Sequence, residues 1–128
     1  MIIRKQVKNV TFLSPNSNGR FYGKEDFQNE HVSSLIRKKK LFIWRDYDRN
    51  IENVLGRVLS IDINEQDEMY IEVELFYEND NPFVSQLLTD FCEVSPFGVG
   101  VVSGKKPHKV VDYKLEGFFM HTENNFED

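Results

Sequence analysis

Two segments of the chain alternate apolar and polar residues with a period of two. Leu59, Ile61 and Ile63 take turns with Val58, Ser60 and Asp62, and Met69, Ile71, Val73 and Leu75 take turns with Tyr70, Glu72, Glu74 and Phe76. That period puts successive side chains on opposite faces of a strand. The polar stretch Asn64 to Glu68 between them therefore predicts an antiparallel hairpin with one buried and one wet face. Val7 to Leu13 reads as an earlier strand with Val10 and Phe12 on one face, ending in the turn-rich run Ser14 to Gly19. From Lys24 the period becomes helical. Phe27, His31, Val32, Leu35 and Ile36 form a stripe, Glu25 and Asp26 stand in the first turn, and Arg37-Lys38-Lys39-Lys40 stands in the last, so a helix is expected from Lys24 to about Lys39.

Leu41 to Trp44 reads as a short strand and Arg45 to Asn50 as a charged loop. Asp80 or Asn81 can cap a second helix with Pro82 in its first turn and Phe83, Leu87, Leu88 and Phe91 as its stripe. Cys92 to Val102 is a strand-like run interrupted by Pro96, Gly98 and Gly100. A last strand carries Val111, Tyr113, Leu115 and Phe119 on one face and Asp112, Lys114 and Glu116 on the other, before a polar tail from about residue 122. The order strand, helix, strand, hairpin, helix, strand, strand predicts an α+β domain: a mainly antiparallel β-sheet or barrel with two helices packed against it.

Composition narrows the class. At 128 residues the chain is expected to form a single domain over 1–128, long enough to bury a core without disulfide or metal staples. Its apolar runs are too short to span a bilayer, and its start lacks the apolar core of a signal peptide. Sixteen basic against 21 acidic residues, a net charge of -5, argue against a nucleic-acid binder. The chain contains no Ala, which beside many Asn, Lys, Ile and Phe suggests an AT-rich genome.

Chemistry-bearing residues are sparse. Three His and one Cys, Cys92, are spread over separate elements, so neither a metal site nor a cofactor site is expected. No helix follows Gly98 and Gly100, so they do not form a phosphate-binding loop. His31 on the helical stripe reads as a core or boundary histidine, His108 as a loop residue, and His121 as the end of the last strand, without neighbours that mark it as a base.

Three segments, in order, resemble the prohead (head maturation) proteases of tailed bacteriophages, a family that shares the fold of the herpesvirus capsid protease. Asn16-Ser17-Asn18-Gly19-Arg20-Phe21-Tyr22 is similar to the Asn-x-Asn-x-Arg-x-Tyr stretch that precedes the family's first helix, with Gly23 in place of its usual Pro. Gly56-Arg57-Val58 and Tyr70-Ile71-Glu72-Val73-Glu74 resemble the paired strands that follow the catalytic His. Val94-Ser95-Pro96-Phe97-Gly98-Val99-Gly100 resembles the nucleophile strand, and Val110 to Phe119 the closing strand.

The resemblance implies Ser95 in the nucleophile's place. It also implies a base between the first helix and the hairpin, where Leu41 to Asp48 contains no His. Family members can carry a basic residue two positions after the nucleophile, where this chain has Phe97, and Pro96 removes the N–H that directly follows Ser95. His121 is a weak candidate for the base from the last strand, as is His31 from the helix. The expectation is therefore a phage protein with a prohead-protease-like fold that has lost proteolysis and acts as a capsid-assembly or virion component. Its expected partners are capsid, scaffold or other virion proteins, with a homo-oligomer among the arrangements, in the host cytoplasm during assembly and retained in the virion. Surplus aromatics, Phe21, Phe42, Trp44, Phe97, Phe118 and Phe126, are the candidate interface anchors. The alternative is an active serine endopeptidase that processes capsid or scaffold proteins with Ser95. A second alternative is a small acidic inhibitor of a host enzyme, motivated by Glu65, Asp67, Glu68, Glu72 and Glu74.

Overall fold

The computed structural model describes residues 1–12, 14–16, 19–46, 50–102 and 108–122. Their elements are, in chain order, β1 (Ile2–Val7), β2 (Arg20–Phe21), α1 (Glu30–Arg37), β3 (Phe42–Trp44), β4 (Val54–Ile63), β5 (Met69–Leu75), α2 (Pro82–Leu87), β6 (Cys92–Val102) and β7 (His108–Thr122). Leu13, Ser17, Asn18, the loop centre 47–49, the run 103–107 and the tail 123–128 lie outside the described residues. No helix among the described residues is long and apolar enough to cross a membrane.

The expected hairpin is β4 paired with β5, Val58 opposite Val73 and Ile61 opposite Ile71. Met69, Ile71, Val73 and Leu75 are buried as their alternation requires. On β4 a bulge between Val58 and Ser60 switches the inward face, so Val58 is buried while Ile61 and Ile63 pack at the core's margin. Gly56 sits where β5 crosses closely; a Cβ there would approach the Glu74 carbonyl oxygen to 2.5 Å, so no larger residue fits without moving backbone.

Around the hairpin the sheet closes on itself. β1 runs antiparallel to β5 and meets β6 in parallel at Val7 and Val94. β6 runs antiparallel to β7, β7 is parallel to β3, and β3 is antiparallel to β4. The result is a mixed, barrel-like sheet of seven strands with β2 attached to the start of β7. Closure removes the unpaired strand edges that open sheets must protect. Inside lie Ile43, Val58, Ile71, Val73, Val94, Leu115 and Phe118, with Val32 of α1 and Val84 and Leu87 of α2 packed onto them. Phe27, fully buried, adds an aromatic plug: its ring lies 6.2 Å from Phe12 and 5.6 Å from Tyr22 and from Tyr113, centroid to centroid.

Several boundaries differ from the sequence reading. The first strand is Ile2–Val7 rather than Val7 to Leu13: Lys8 N–H still donates to the Val94 carbonyl, and Asn9, in left-handed backbone at φ 64°, then turns the chain away. The long first helix is split. Lys24–Asp26 is a single 3-10 turn, with Asp26 accepting from Gly23 N–H, and Asn29 starts α1 afresh by accepting from Val32 N–H at 3.0 Å. Asn81 caps α2 as expected, but Val84 and Leu87 are its buried residues, while Leu88 and Phe91 lie beyond the last turn and are exposed. β7 changes face because β6 and β7 slip register between Phe97 and Gly98 and again between Val99 and Val101. Val110 and Phe118 are therefore buried in place of Val111 and Phe119.

The aromatic inventory changes too. Phe97 and Phe118 are buried, and Phe126 lies outside the described residues; among the described residues Phe76, Tyr77 and Phe91 are the exposed aromatics, Phe91 by 77%. The acidic residues of the hairpin are largely engaged: Glu74 with Arg57, Asp67 with Lys24, and Glu68 with Gln6 and Asn64.

Phe118→Ala is expected to lower the unfolding free energy by about 3–5 kcal/mol, the cost of a cavity at a fully buried ring, whereas Phe91→Ala stays within ~0.5 kcal/mol of wild type. Urea unfolding of both variants checks the core assignment.

Candidate active site

Where β6 and β7 pair, Val94, Phe118 and Met120 point into the core. Pleating sends the residues between them to the other side of the sheet. Ser95 stands opposite Phe119, and Glu93 opposite His121. Ser95 and His121 are thus diagonal neighbours on the outer face, a spacing that long side chains span. Ser95 Oγ and His121 Nε2 are 2.7 Å apart. Both residues are buried, 3% and 8% exposed, although neither faces the apolar core. Phe119 helps to cover them, its ring centred 5.3 Å from the imidazole, and Phe97 packs on Phe119 in turn at 6.2 Å.

A third side chain meets the pair from the chain that leaves β1. Asn9 Nδ2 donates to Ser95 Oγ at 3.0 Å. Its left-handed φ, which Asn tolerates better than most residues, turns the amide toward β6. The turn that follows holds it there. Asn16 Nδ2 donates to the Asn9 carbonyl at 3.1 Å, Asn16 Oδ1 accepts from Arg20 N–H at 3.0 Å, and Asn16 N–H donates to the Arg20 carbonyl at 2.7 Å. Asn9, Asn16, Arg20, Ser95, Phe97 and Phe119 line one cavity of about 250 Å³.

This arrangement has the elements of an activated nucleophile. A Ser hydroxyl has one proton to give, and a neutral imidazole protonated on Nδ1 accepts it on Nε2. Oγ then accepts from Asn9. Ser95 lines the cavity, and exposed Arg20 stands on the same wall. Pro96 supplies no N–H next to Ser95, as its sequence requires.

Of the residues singled out from sequence, the structure brings Ser95 and His121 together and leaves the others apart. His31 is exposed, with Nε2 3.0 Å from the Leu115 carbonyl oxygen, so it is a helix-surface residue rather than a core one. The side chain of His108 lies outside the described residues. The stretch expected to hold a base does border the site: β3 runs parallel to β7 with Trp44 beside Phe119, two residues from His121. Trp44 Nε1 is buried there with no acceptor among the described residues. Phe97 occupies a packed position rather than a charged one. Asn9 was missed by sequence reading, because nothing in the pattern around Val10 and Phe12 separates it from a strand residue. In the sequence Arg20 stands out only as part of a turn motif. No cluster of His, Cys, Asp and Glu suited to a metal occurs among the described residues.

The fold is similar to that of a bacteriophage capsid assembly protease. The chain superposes on the bacteriophage T4 capsid assembly protease, gp21, with a TM-score of 0.67 over 91% of this chain and 77% of that one, at 13% sequence identity. An identity that low establishes the fold alone. No protein-family model matches the chain, and no curated protein sequence does.

Cys92, at the start of β6, is the other buried nucleophile-bearing residue, 3% exposed. Burial pushes its thiol above the ordinary 9.0, against a smaller opposing pull from Lys5. The folded thiol holds its proton more tightly than the unfolded one. Its contribution to stability is therefore fully present below the ordinary thiol value and is lost as pH rises above it. Native Cys92 is expected to react with a disulfide reagent at neutral pH at least ~10-fold more slowly than the denatured chain, followed by thiolate release at both states.

Proposed function

We propose that this chain is a serine endopeptidase of the capsid-processing kind, with Ser95 as nucleophile and His121 as general base. The observation that carries the reading is the 2.7 Å contact between Ser95 Oγ and His121 Nε2 at a cavity, in a fold like that of a capsid assembly protease. In this mechanism Ser95 Oγ attacks a peptide carbonyl while its proton passes to His121 Nε2. The Oγ–C bond forms and the carbonyl π pair moves onto oxygen. The imidazolium then protonates the leaving amine as the C–N bond breaks, and water repeats the sequence on the acyl-enzyme. Placing the base on the neighbouring strand removes the need for a His between α1 and the hairpin. The same reading extends the likeness to the herpesvirus capsid protease fold, and makes capsid or scaffold proteins in the host cytoplasm the substrates.

Specific features favour a second reading, in which the fold is retained, proteolysis is lost and the protein serves as a capsid-assembly or virion component. Trp44 stands beside the site where the family resemblance calls for a base, Pro96 gives no oxyanion donor, and Ser95 is only 3% exposed. On that reading exposed Phe76, Tyr77 and Phe91 are contacts for virion proteins or a second copy.

Incubation of the purified protein with capsid or scaffold precursors separates the two. Cleavage by wild type, its disappearance in Ser95→Ala and a loss of about 10³-fold or more in His121→Gln are expected. No cleavage by wild type, with the precursors nevertheless retained on the immobilised protein, selects the second reading.

A further inference from the structure

We propose that Asn9 is the oxyanion donor of the Ser95 centre, an assignment that rests on the endopeptidase reading above. Acyl transfer needs a hydrogen-bond donor where negative charge develops on the attacked carbonyl oxygen. The main chain commonly supplies it from the residue after the nucleophile, which here is Pro96 and has no N–H. Along β6 the main chain is held by pairing with β7 and, at Val94, by the Lys8 N–H. A side chain can supply the donor instead, and one already touches the reacting atom.

Asn9 Nδ2 reaches Ser95 Oγ at 3.0 Å. Because Ser95 gives its only proton to His121 in the attacking state, Oγ can meet Asn9 only as an acceptor, which sets the amide with its nitrogen toward Ser95. Once Oγ bonds to the carbonyl carbon, the oxyanion is attached to that same carbon, and an amide already on Oγ reaches it by a small rotation. Oγ loses charge density as the new bond forms and the oxyanion gains it. The hydrogen bond is then stronger in the transition state than in the ground state, as catalysis demands.

Two features show that the amide is held in place beforehand. Asn9 is in left-handed backbone, φ 64°, a conformation unusual for a residue other than Gly, and Asn16 clamps its carbonyl at 3.1 Å. An ordinary strand continuation from β1 would carry the amide past Ser95. The clamp also gives the Asn16 to Arg20 turn a role: it preorganises the donor, while Asn9 supplies it.

The test uses a fluorophosphonate, which the Ser95 hydroxyl attacks with formation of an Oγ–P bond, departure of fluoride and transfer of the proton to His121, through an anionic phosphonyl oxygen. Asn9→Gly removes the amide while accepting the left-handed backbone, and Asn9→Asp keeps its shape and replaces the donor by an acceptor. Both are expected to lower the labelling rate by about 10²-fold or more, with the melting temperature near that of wild type; the pH midpoint of labelling is unmoved in Asn9→Gly and raised by the added carboxylate in Asn9→Asp. In wild type the Asn9 side-chain amide resonance is expected to shift on phosphonylation, a readout that needs no variant to fold. Labelling of the Asn9 variants within about twofold of wild type, a moved pH midpoint in Asn9→Gly, or an unmoved Asn9 resonance each overturns the assignment alone. A wild type that the probe does not label at Ser95 overturns the endopeptidase reading and this assignment with it.

Discussion

β6 and β7 run antiparallel from Cys92 opposite Thr122 to Val102 opposite Val110, and that pairing does two jobs at once. It closes the sheet, because β6 also meets β1 and β7 also meets β3. It also sets the candidate site, because the register that places Ser95 opposite Phe119 brings His121 one diagonal step away. A shift of one residue would turn Val94 and Met120 outward and drive Ser95 and His121 into an apolar interior, where an unpaired hydroxyl and imidazole are costly. Core packing and site geometry are therefore protected by the same constraint. The bulges after Phe97 and after Val99 lie on the far side of Ser95 from His121, so the strand bends without disturbing the pair.

The polar contacts at the site are few and mutually dependent. Ser95, with one proton, sits between an imidazole and an amide, each of which needs the other to settle its direction. Their burial beneath Phe119 lowers the local polarity, which strengthens such bonds and raises the cost of leaving one unmade. Asn9 is tied through Asn16 to Arg20, and β2, which contains Arg20, is tied to the start of β7. The loop between β1 and β2 is thus anchored at both ends to the two strands that carry Ser95 and His121.

Much of the fold was readable from the sequence because its signals are periodic. The β4–β5 hairpin, the Asn81 cap of α2 and the short strand at Phe42–Trp44 all follow from alternation or capping chemistry. The errors arose where tertiary contacts overrule periodicity. Residues 24 to 39 carry a continuous helical stripe, yet Asn29 caps a new start and Phe27 is taken into the aromatic plug. Val111 and Phe119 obey the alternation of one uninterrupted strand, which the bulges break twice. At the candidate site, the resemblance implies Ser95 and places a base between Leu41 and Asp48, where the sequence has no His. The diagonal relation of Ser95 to His121 depends on a register spanning 26 residues of chain, which no local pattern encodes. Asn9 was less accessible still, since its role depends on a backbone angle.

The position of His121 changes what the absence of a His near β3 signifies. A base on β3 would be held to the nucleophile only through β7, across two strand pairings. With Ser95 on β6 and His121 on β7, one ladder sets their separation, and β3 contributes packing, as Trp44 does beside Phe119. On the endopeptidase reading, Pro96 stiffens β6 at the cost of an N–H beside Ser95, and the oxyanion donor comes from outside the strand. The segment leaving β1 is the one that the Lys8 to Val94 hydrogen bond brings alongside, and the left-handed turn at Asn9 is what directs it to Ser95.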